Sequence, residues 1–170
     1  MPKHDVSISE LRRLISYDPE TGELRRLVTM GNRAAGQITG SVEPKGYLKV
    51  SVGKLRMKAH VIAWAIHYGQ WPELQIDHIN NNPADNRIEN LRLATNQQNC
   101  ANKGLYRNNT SGIKGVSLRS NGKWQAGIKV NYVRIHLGSF NTKEAAAEAY
   151  RQAAEATFGQ FANPTLEERS

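Results

Sequence analysis

The feature that most narrows the fold is a two-residue alternation over positions 114 to 138 that ends in an alanine-rich segment. Val116 and Leu118, then Trp124, Ala126 and Ile128, then Val133, Ile135 and Leu137 alternate onto one side of their segments. Ser117 and Arg119, then Lys123, Gln125, Gly127 and Lys129, then Arg134 and His136 fall on the other side. Successive side chains of a strand point to opposite faces, so this pattern predicts three short strands, about 114–119, 123–130 and 132–138, with one apolar face. Asn121-Gly122 supplies a turn between them. The apolar face must be covered, and a helix from about Thr142 to Thr157 can cover it. Ala145, Ala146, Ala149, Ala153 and Ala154 allow close approach, Tyr150 lies among them, and Asn141-Thr-Lys-Glu144 has a capping-box-like start. The second face is left open and basic.

Charge sharpens that reading. The chain carries 23 Lys and Arg against 15 Asp and Glu, a formal +8. From Ala101 to Phe140 there are seven basic residues (Lys103, Arg107, Lys114, Arg119, Lys123, Lys129, Arg134) and no acid. A segment so one-sided repels itself unless a polyanion neutralises it, and nucleic acid is the usual answer. The sheet has few exposed aromatics to stack on unpaired bases, which argues against a single-strand or RNA binder and for double-stranded DNA. No apolar run approaches the ~20 residues that cross a bilayer, and MPKHDVSISE lacks a signal-peptide apolar stretch. One cysteine, Cys100, rules out an internal disulfide and a Cys-based zinc cluster. The expectation is a soluble, cytoplasmic protein with no membrane partner. At 170 residues and 39 % hydrophobic content, it has several small cores and not one large one.

Upstream the elements are short. Residues 8–16 suggest a helix capped by Ser7 or Ser9, and Asp18-Pro19-Glu20-Thr21-Gly22 a turn leading to a strand over Glu23–Val28. Tyr47–Val52 and Leu55–Lys58 form a hairpin around Gly53-Lys54, followed by a helix over Ala59–Tyr68 that Gly69 and Pro72 end. Then come a short strand around Leu74–Ile79, a loop packed with turn formers (Asn80–Asn86), a second extended piece over Ile88–Leu93, and a helix that Thr95 starts. Residues 103–112 are polar and predict a linker.

Hydrolysis of a phosphodiester needs a base to activate water, a cation to neutralise developing charge, and a scaffold for both. Histidine titrates near neutrality, and hard oxygen donors suit Mg²⁺ or Mn²⁺. Asp77-His78 offers both, but on one strand they point to opposite faces. They cooperate only if a helix packs beside the carboxylate and substrate lies beside the imidazole.

The run Gln75-Ile-Asp-His-Ile-Asn-Asn-Asn-Pro-Ala-Asp-Asn-Arg-Ile-Glu-Asn-Leu-Arg-Leu-Ala-Thr-Asn-Gln-Gln-Asn99 resembles the HNH endonucleases of bacteriophages and intron-encoded homing enzymes. Asn90 follows His78 by twelve residues and Asn99 by twenty-one, the spacing of the His-Asn-Asn variant. The resemblance implies an α+β fold with a ββα-metal core. It implies His78 as general base, Asn90 bracing the loop and orienting His78, and Asp77 and Asn99 holding one divalent metal, Mg²⁺ or Mn²⁺. The products would be a 5′-phosphate and a 3′-hydroxyl. His60 is expected to be a packed, hydrogen-bonded structural residue, and His67 and His4 surface residues. Leu74, Ile76, Ile79, Ile88, Leu91 and Leu93 would build the core with the upstream helix.

Residues 112–163 resemble the plant ethylene-response-factor (Apetala-type) DNA-binding domain. The likeness rests on Gly115-Val116, Gly122-Lys123-Trp124, Ile128-Lys129, Leu137-Gly138-Ser139-Phe140 and Thr142 to Tyr150. It implies DNA contacts from Lys114, Ser117, Arg119, Lys123, Lys129, Arg134 and His136. Ser117 stands where plant domains have Arg and His136 where they have Trp, so plant sequence preference is not inherited.

The expected order is a scaffold over 1–55, an HNH core over 56–103, a linker over 104–112, the sheet domain over 113–163 and a tail over 164–170. Arg25, Arg26, Lys45, Lys49 and Lys54 are candidates for further phosphate contacts. The expected activity is a metal-dependent endonuclease or nickase, acting as a monomer without an obligate protein partner, in a bacterial host cell if phage-encoded. The alternative is a DNA-binding regulator with a vestigial nuclease core.

Overall fold

A computed structural model describes residues 6–163 except 54 and 107. His4, Lys54, Arg107 and the tail over 164–170 lie outside the described residues. The chain divides into two compact units, Met1–Ala94 and Thr95–Ser170, of mixed α and β structure.

In the first unit, helix α1 (Ile8–Leu14) starts where Ser7 Oγ accepts from Glu10 N at 3.1 Å. Strands β1 (Ile15–Tyr17) and β2 (Leu24–Arg26) pair antiparallel across the Asp18–Gly22 turn. Strands β3 (Ser41–Val42), β4 (Leu48–Val52) and β5 (Leu55–Lys58) form an antiparallel sheet in that order. Helix α2 (Ala59–Tyr68) follows and stops at Gly69, whose φ of 71° is left-handed. Leu11, Ile15, Val50, Val52 and Ile62 are fully buried in the main core. The next residues of α2, Ala63 and Trp64, pack with Ile76 and Leu91 in a second cluster. That cluster seats the hairpin of β6 (Gln75–His78) and β7 (Leu91–Ala94) on the helix. Of the apolar residues expected there, Leu74 and Ile79 are 49 % and 44 % exposed, because they flank the short strand and leave the shared face.

In the second unit, helix α3 (Asn96–Asn102) opens with a full capping box: Gln98 N donates to Thr95 Oγ1 and Thr95 N to Gln98 Oε1. Strands β8 (Val116–Leu118), β9 (Trp124–Val130) and β10 (Val133–Phe140) form the predicted antiparallel sheet with β9 central. Helix α4 (Lys143–Phe158) lies chiefly over β9 and buries Val116, Ala126 and Ile128 against Ala146, Tyr150 and Ala154. The cover is narrower than the parity pattern implies. Leu118, Val133 and Ile135 stay 57 %, 63 % and 45 % exposed, because they sit on edge strands and one helix reaches mainly the middle strand. Gly115 has φ +72°, and a Cβ there would run into the Tyr150 ring and Gly127 O, so glycine is required for this close approach.

Helix α3 clusters with the sheet unit, packing on α4 and on the 3-10 turn Gly159–Phe161. The expected linker is ordered at its far end. Ser111, 7 % exposed, donates to Ile113 O at 2.9 Å and Val116 O at 2.8 Å, and Asn109 Oδ1 accepts from Gly112 N at 2.7 Å.

Candidate functional site

Asp77 and His78 are neighbours on β6 and both are buried. Each is held differently. Asp77 pairs in register with Arg92 of β7, whose Nε and Nη2 both reach Asp77 Oδ2 at 2.9 Å. Arg92 is the functional neighbour that the sequence reading missed. Its place directly opposite Asp77 is set by cross-strand register, which the sequence of either strand alone does not give.

His78 sits in a ring cluster. Its centroid lies 5.0 Å from that of His60 in a T-shaped contact and 5.9 Å from Tyr47. Tyr47 in turn meets His60 edge-on at 5.5 Å, and the Lys58 ammonium stands 4.1 Å over the Tyr47 ring. Asn86 Oδ1 lies 3.3 Å from His78 Nε2, while Asn86 Nδ2 donates to Ala84 O. With the amide oriented that way, Nε2 carries the proton and Nδ1 the lone pair in the neutral ring. Burial lowers the His78 pKa below its ordinary value against the opposing pull of Asn86 and Asp77. The His60 pKa is driven down to about 3, mainly by burial and then by His78 and Lys58. His60 packs as expected, though among the described residues its buried Nδ1 has no hydrogen-bond partner.

The loop between β6 and β7 is rigid for reasons visible in its side chains. Asn90 Oδ1 accepts from Asn80 N at 3.0 Å and its Nδ2 donates to Asp85 O at 2.8 Å. The Asp85 carboxylate is held by Arg87 Nε at 2.9 Å and Asn80 Nδ2 at 2.8 Å, which lowers its pKa to about 2. The N-terminal scaffold buttresses the same loop. Tyr17 Oη donates to Asn86 O at 2.8 Å, and Ile88 N donates to Pro19 O at 3.1 Å. Gly22, at φ +75°, lets the turn approach, since a Cβ there would lie 2.6 Å from Arg87 N. Asn86 and this buttress lacked any sequence signal beyond turn propensity.

Asp77, His78 and Asn90 belong to the first unit, and Asn99, on α3, to the second. The donor chemistry fits a hard cation. A buried carboxylate such as that of Asp77 is a hard oxygen donor of the kind that suits an ion which keeps several waters and takes phosphate oxygens. Among the described residues no group of three or more His, Cys, Asp or Glu converges. The protein therefore offers a sparse donor set and not a closed cage.

On the sheet, Lys129 and Arg134 are cross-strand partners and exposed. The Arg134 guanidinium lies over Gly127, where a Cβ would come within 3.3 Å of Nε. His136 Nδ1 and Gln125 Nε2 are 2.9 Å apart, with Ser117 paired opposite Gln125. Arg119 and Lys123 flank the β8–β9 turn, both exposed. A bulge between His136 and Gly138 returns Ser139 to this open face and Phe140 to the covered one. Lys114 is held within its own unit. Its Nζ is turned onto the end of α3, donating to Ala101 O at 2.5 Å, Lys103 O at 2.6 Å and Cys100 O at 3.4 Å. The helix's unsatisfied carbonyls attract a cation, and burial lowers the Lys114 pKa to about 8.

A buried histidine beside an acidic strand neighbour, facing a braced asparagine loop, defines a class, and known proteins agree with it. The family model for HNH endonuclease matches residues 57–101. An uncharacterized HNH endonuclease of Acanthamoeba polyphaga mimivirus is 35 % identical over 121 residues, 70 % of this chain and 62 % of its own length. Protein 3.8 of Escherichia phage T7 is 33 % identical over 107 residues, 62 % of this chain and 88 % of its own. An ethylene-responsive transcription factor-like protein of Arabidopsis thaliana is 41 % identical over 59 residues, 35 % of this chain and 21 % of its own. A solved structure of DNA binding and cleavage by the HNH homing endonuclease I-HmuI aligns with TM-score 0.44 at 20 % identity, covering 84 % of this chain and 80 % of that one. The chain belongs to the HNH endonuclease family. It spans less than two thirds of the mimivirus relative. No helix among the described residues is long and apolar enough to cross a membrane.

Proposed function

We propose that this protein is a metal-dependent endonuclease or nickase for double-stranded DNA, with His78 as the general base. The observation that carries this is the neutral, immobilised His78 imidazole beside Asp77. It is gripped by Asn86 and flanked by the His60 and Tyr47 rings. Nδ1 takes a proton from the attacking water. The water oxygen forms the new P–O bond, the bond from phosphorus to the 3′ oxygen breaks, and that oxygen leaves with a proton from solvent. The ends are then 5′-phosphate and 3′-hydroxyl. Asp77 and Asn99 would hold one Mg²⁺ or Mn²⁺. The ion supplies Lewis-acid neutralisation of charge on the phosphate and the leaving oxygen. Asn90 keeps the loop rigid so that Asn86 keeps its grip on His78. Arg92 fixes the Asp77 carboxylate in place.

The sheet of the second unit is proposed as an ethylene-response-factor-like duplex reader. Ser117, Arg119, Lys123, Lys129, Arg134 and His136 form its contact face, and Lys114 acts as a helix cap. The similarity to the plant protein and the acid-free open face support this reading. Incubation of supercoiled plasmid with Mg²⁺ or Mn²⁺, beside EDTA and His78→Ala controls, tests the proposal. Metal-dependent open-circular or linear product, lost in the mutant, is expected. Cleavage unchanged in His78→Ala would remove His78 from the mechanism.

A further inference from the structure

Arg26 is 3 % exposed, and among the described residues no carboxylate pairs with it. A buried guanidinium without an anion is costly, and native proteins tolerate one where an anion arrives. One end of Arg26 is anchored: Nη2 donates to Thr39 Oγ1 at 3.2 Å and to Ser51 O at 3.1 Å. The guanidinium also lines a cleft of about 550 Å³ in the first unit, with Arg33, Lys49 and Arg56 on the same walls and no acidic residue among them. Glu43 approaches Lys49 only at 3.9 Å, from outside the lining. The sheet register explains the convergence. Ser51, which holds Arg26, pairs with Arg56, and Lys49 pairs with Lys58. Lys58 is the residue whose ammonium stands over Tyr47 in the His78 ring cluster. A basic row thus runs from the cleft to the proposed base along one unit.

We propose that this cleft is a phosphate-binding site that grips one backbone phosphate of duplex DNA flanking the position presented to His78. Arg26 is its buried anchor, and Arg33, Lys49 and Arg56 its rim. Continuity with the His78 cluster favours a phosphate of the same DNA over a free phosphate ion. Of the basic residues singled out earlier in this region, Arg25 is engaged elsewhere. It donates to Glu23 at 2.6 Å and to Gly36 O at 3.2 Å.

The site rests on the reading of the chain as a duplex-binding nuclease, and its test needs no cleavage. Duplex binding is measured by fluorescence anisotropy in EDTA across a salt series, for wild type, Arg33→Ala/Arg56→Ala and Arg25→Ala. Both rim residues are exposed, so the double variant is expected to fold. Loss of one phosphate contact lowers the slope of log K against log salt by about 0.9, or roughly eightfold in affinity at 0.1 M. That loss is expected in the double variant and not in Arg25→Ala. A loss in Arg25→Ala half that of the double variant, equal per charge removed, would make the effect one of net charge and overturn the site, and no loss in either, with no stabilisation by phosphate, would make Arg26 structural only. A thermal shift with inorganic phosphate, matched to chloride at equal ionic strength, is the second arm. Stabilisation lost in the double variant, with duplex binding unchanged, would assign the cleft to a free phosphate and overturn the DNA reading. A protein that binds with the expected slope yet never cuts would defeat the nuclease proposal and leave the cleft standing.

Discussion

The β6–β7 hairpin and the β8–β10 sheet are both small antiparallel sheets that carry histidine and arginine, and they treat those groups in opposite ways. In the hairpin, Asp77, His78, Asn86 and Asn90 are all at most 5 % exposed, and each is held by named neighbours. On the sheet, Arg119, Lys123, Lys129 and Arg134 are exposed and form no ion pair among the described residues. The difference suits the two tasks proposed for them. A group that moves a proton must be fixed before substrate arrives, because misplacement raises the barrier directly. A group that meets phosphates gains by staying hydrated and adjustable until contact, when counterions leave.

The contrast can be broken at either end, and the expected effects run from large to small. His78→Ala should lower plasmid cleavage by about 10²–10⁴-fold while leaving the duplex dissociation constant within about twofold. A comparable loss of binding would mean that the two regions do not divide the labour. Arg92→Met should cost about 3–5 kcal/mol in urea unfolding, because it strands the buried Asp77 carboxylate. A small change there would show that water reaches Asp77 freely. Gly115→Ala should cost about 1–3 kcal/mol through its left-handed φ and the Tyr150 ring, and calorimetry should locate the loss in the sheet unit.

Acid should act on the hairpin side. His60 has a folded pKa of about 3 against roughly 6.5 unfolded, so below pH 6.5 the unfolded chain takes up a proton that the folded one refuses. Its contribution is complete above pH 6.5. It falls by up to about 1.4 kcal/mol per pH unit down to about pH 3, and is constant below that. His60→Phe should flatten the unfolding midpoint across pH 6.5 to 4.5. The smallest effect belongs to the reader. Arg134→Ala should reduce the salt slope of duplex binding by about 0.9 and leave the single-turnover cleavage rate at saturating protein unchanged.

How much of this was legible depends on whether the signal is local. The alternation of β9 and β10, the Thr95 and Ser7 caps and the Gly69 stop are local and were readable. So were the strand–loop–strand elements around Asp77-His78. Arg92 was hidden because its role comes from cross-strand register, which a single strand does not encode. Asn86 and Tyr17 were hidden because 69 residues separate them along the chain. Exposure at Val133 and Ile135 escaped the parity rule, since parity assigns a face but says nothing of the width of the element covering it. The helix-end contacts of Lys114 were hidden because its charge points to an anionic partner without showing that a helix terminus within the chain can supply one.

That last residue bears on how such chains can be spliced. Residues 104–112, with their polar composition, look like the natural seam for exchanging one DNA reader for another. A cut there would separate α3 from Lys114, which caps it, and from Asn163, whose Nδ2 donates to Asn102 O at 2.8 Å. It would also part Asn96 from Tyr132 at the β9–β10 turn. A cassette that keeps these bonds begins at Thr95, where the second compact unit begins, so a shuffled gene that trades the proposed reader also trades the helix bearing Asn99.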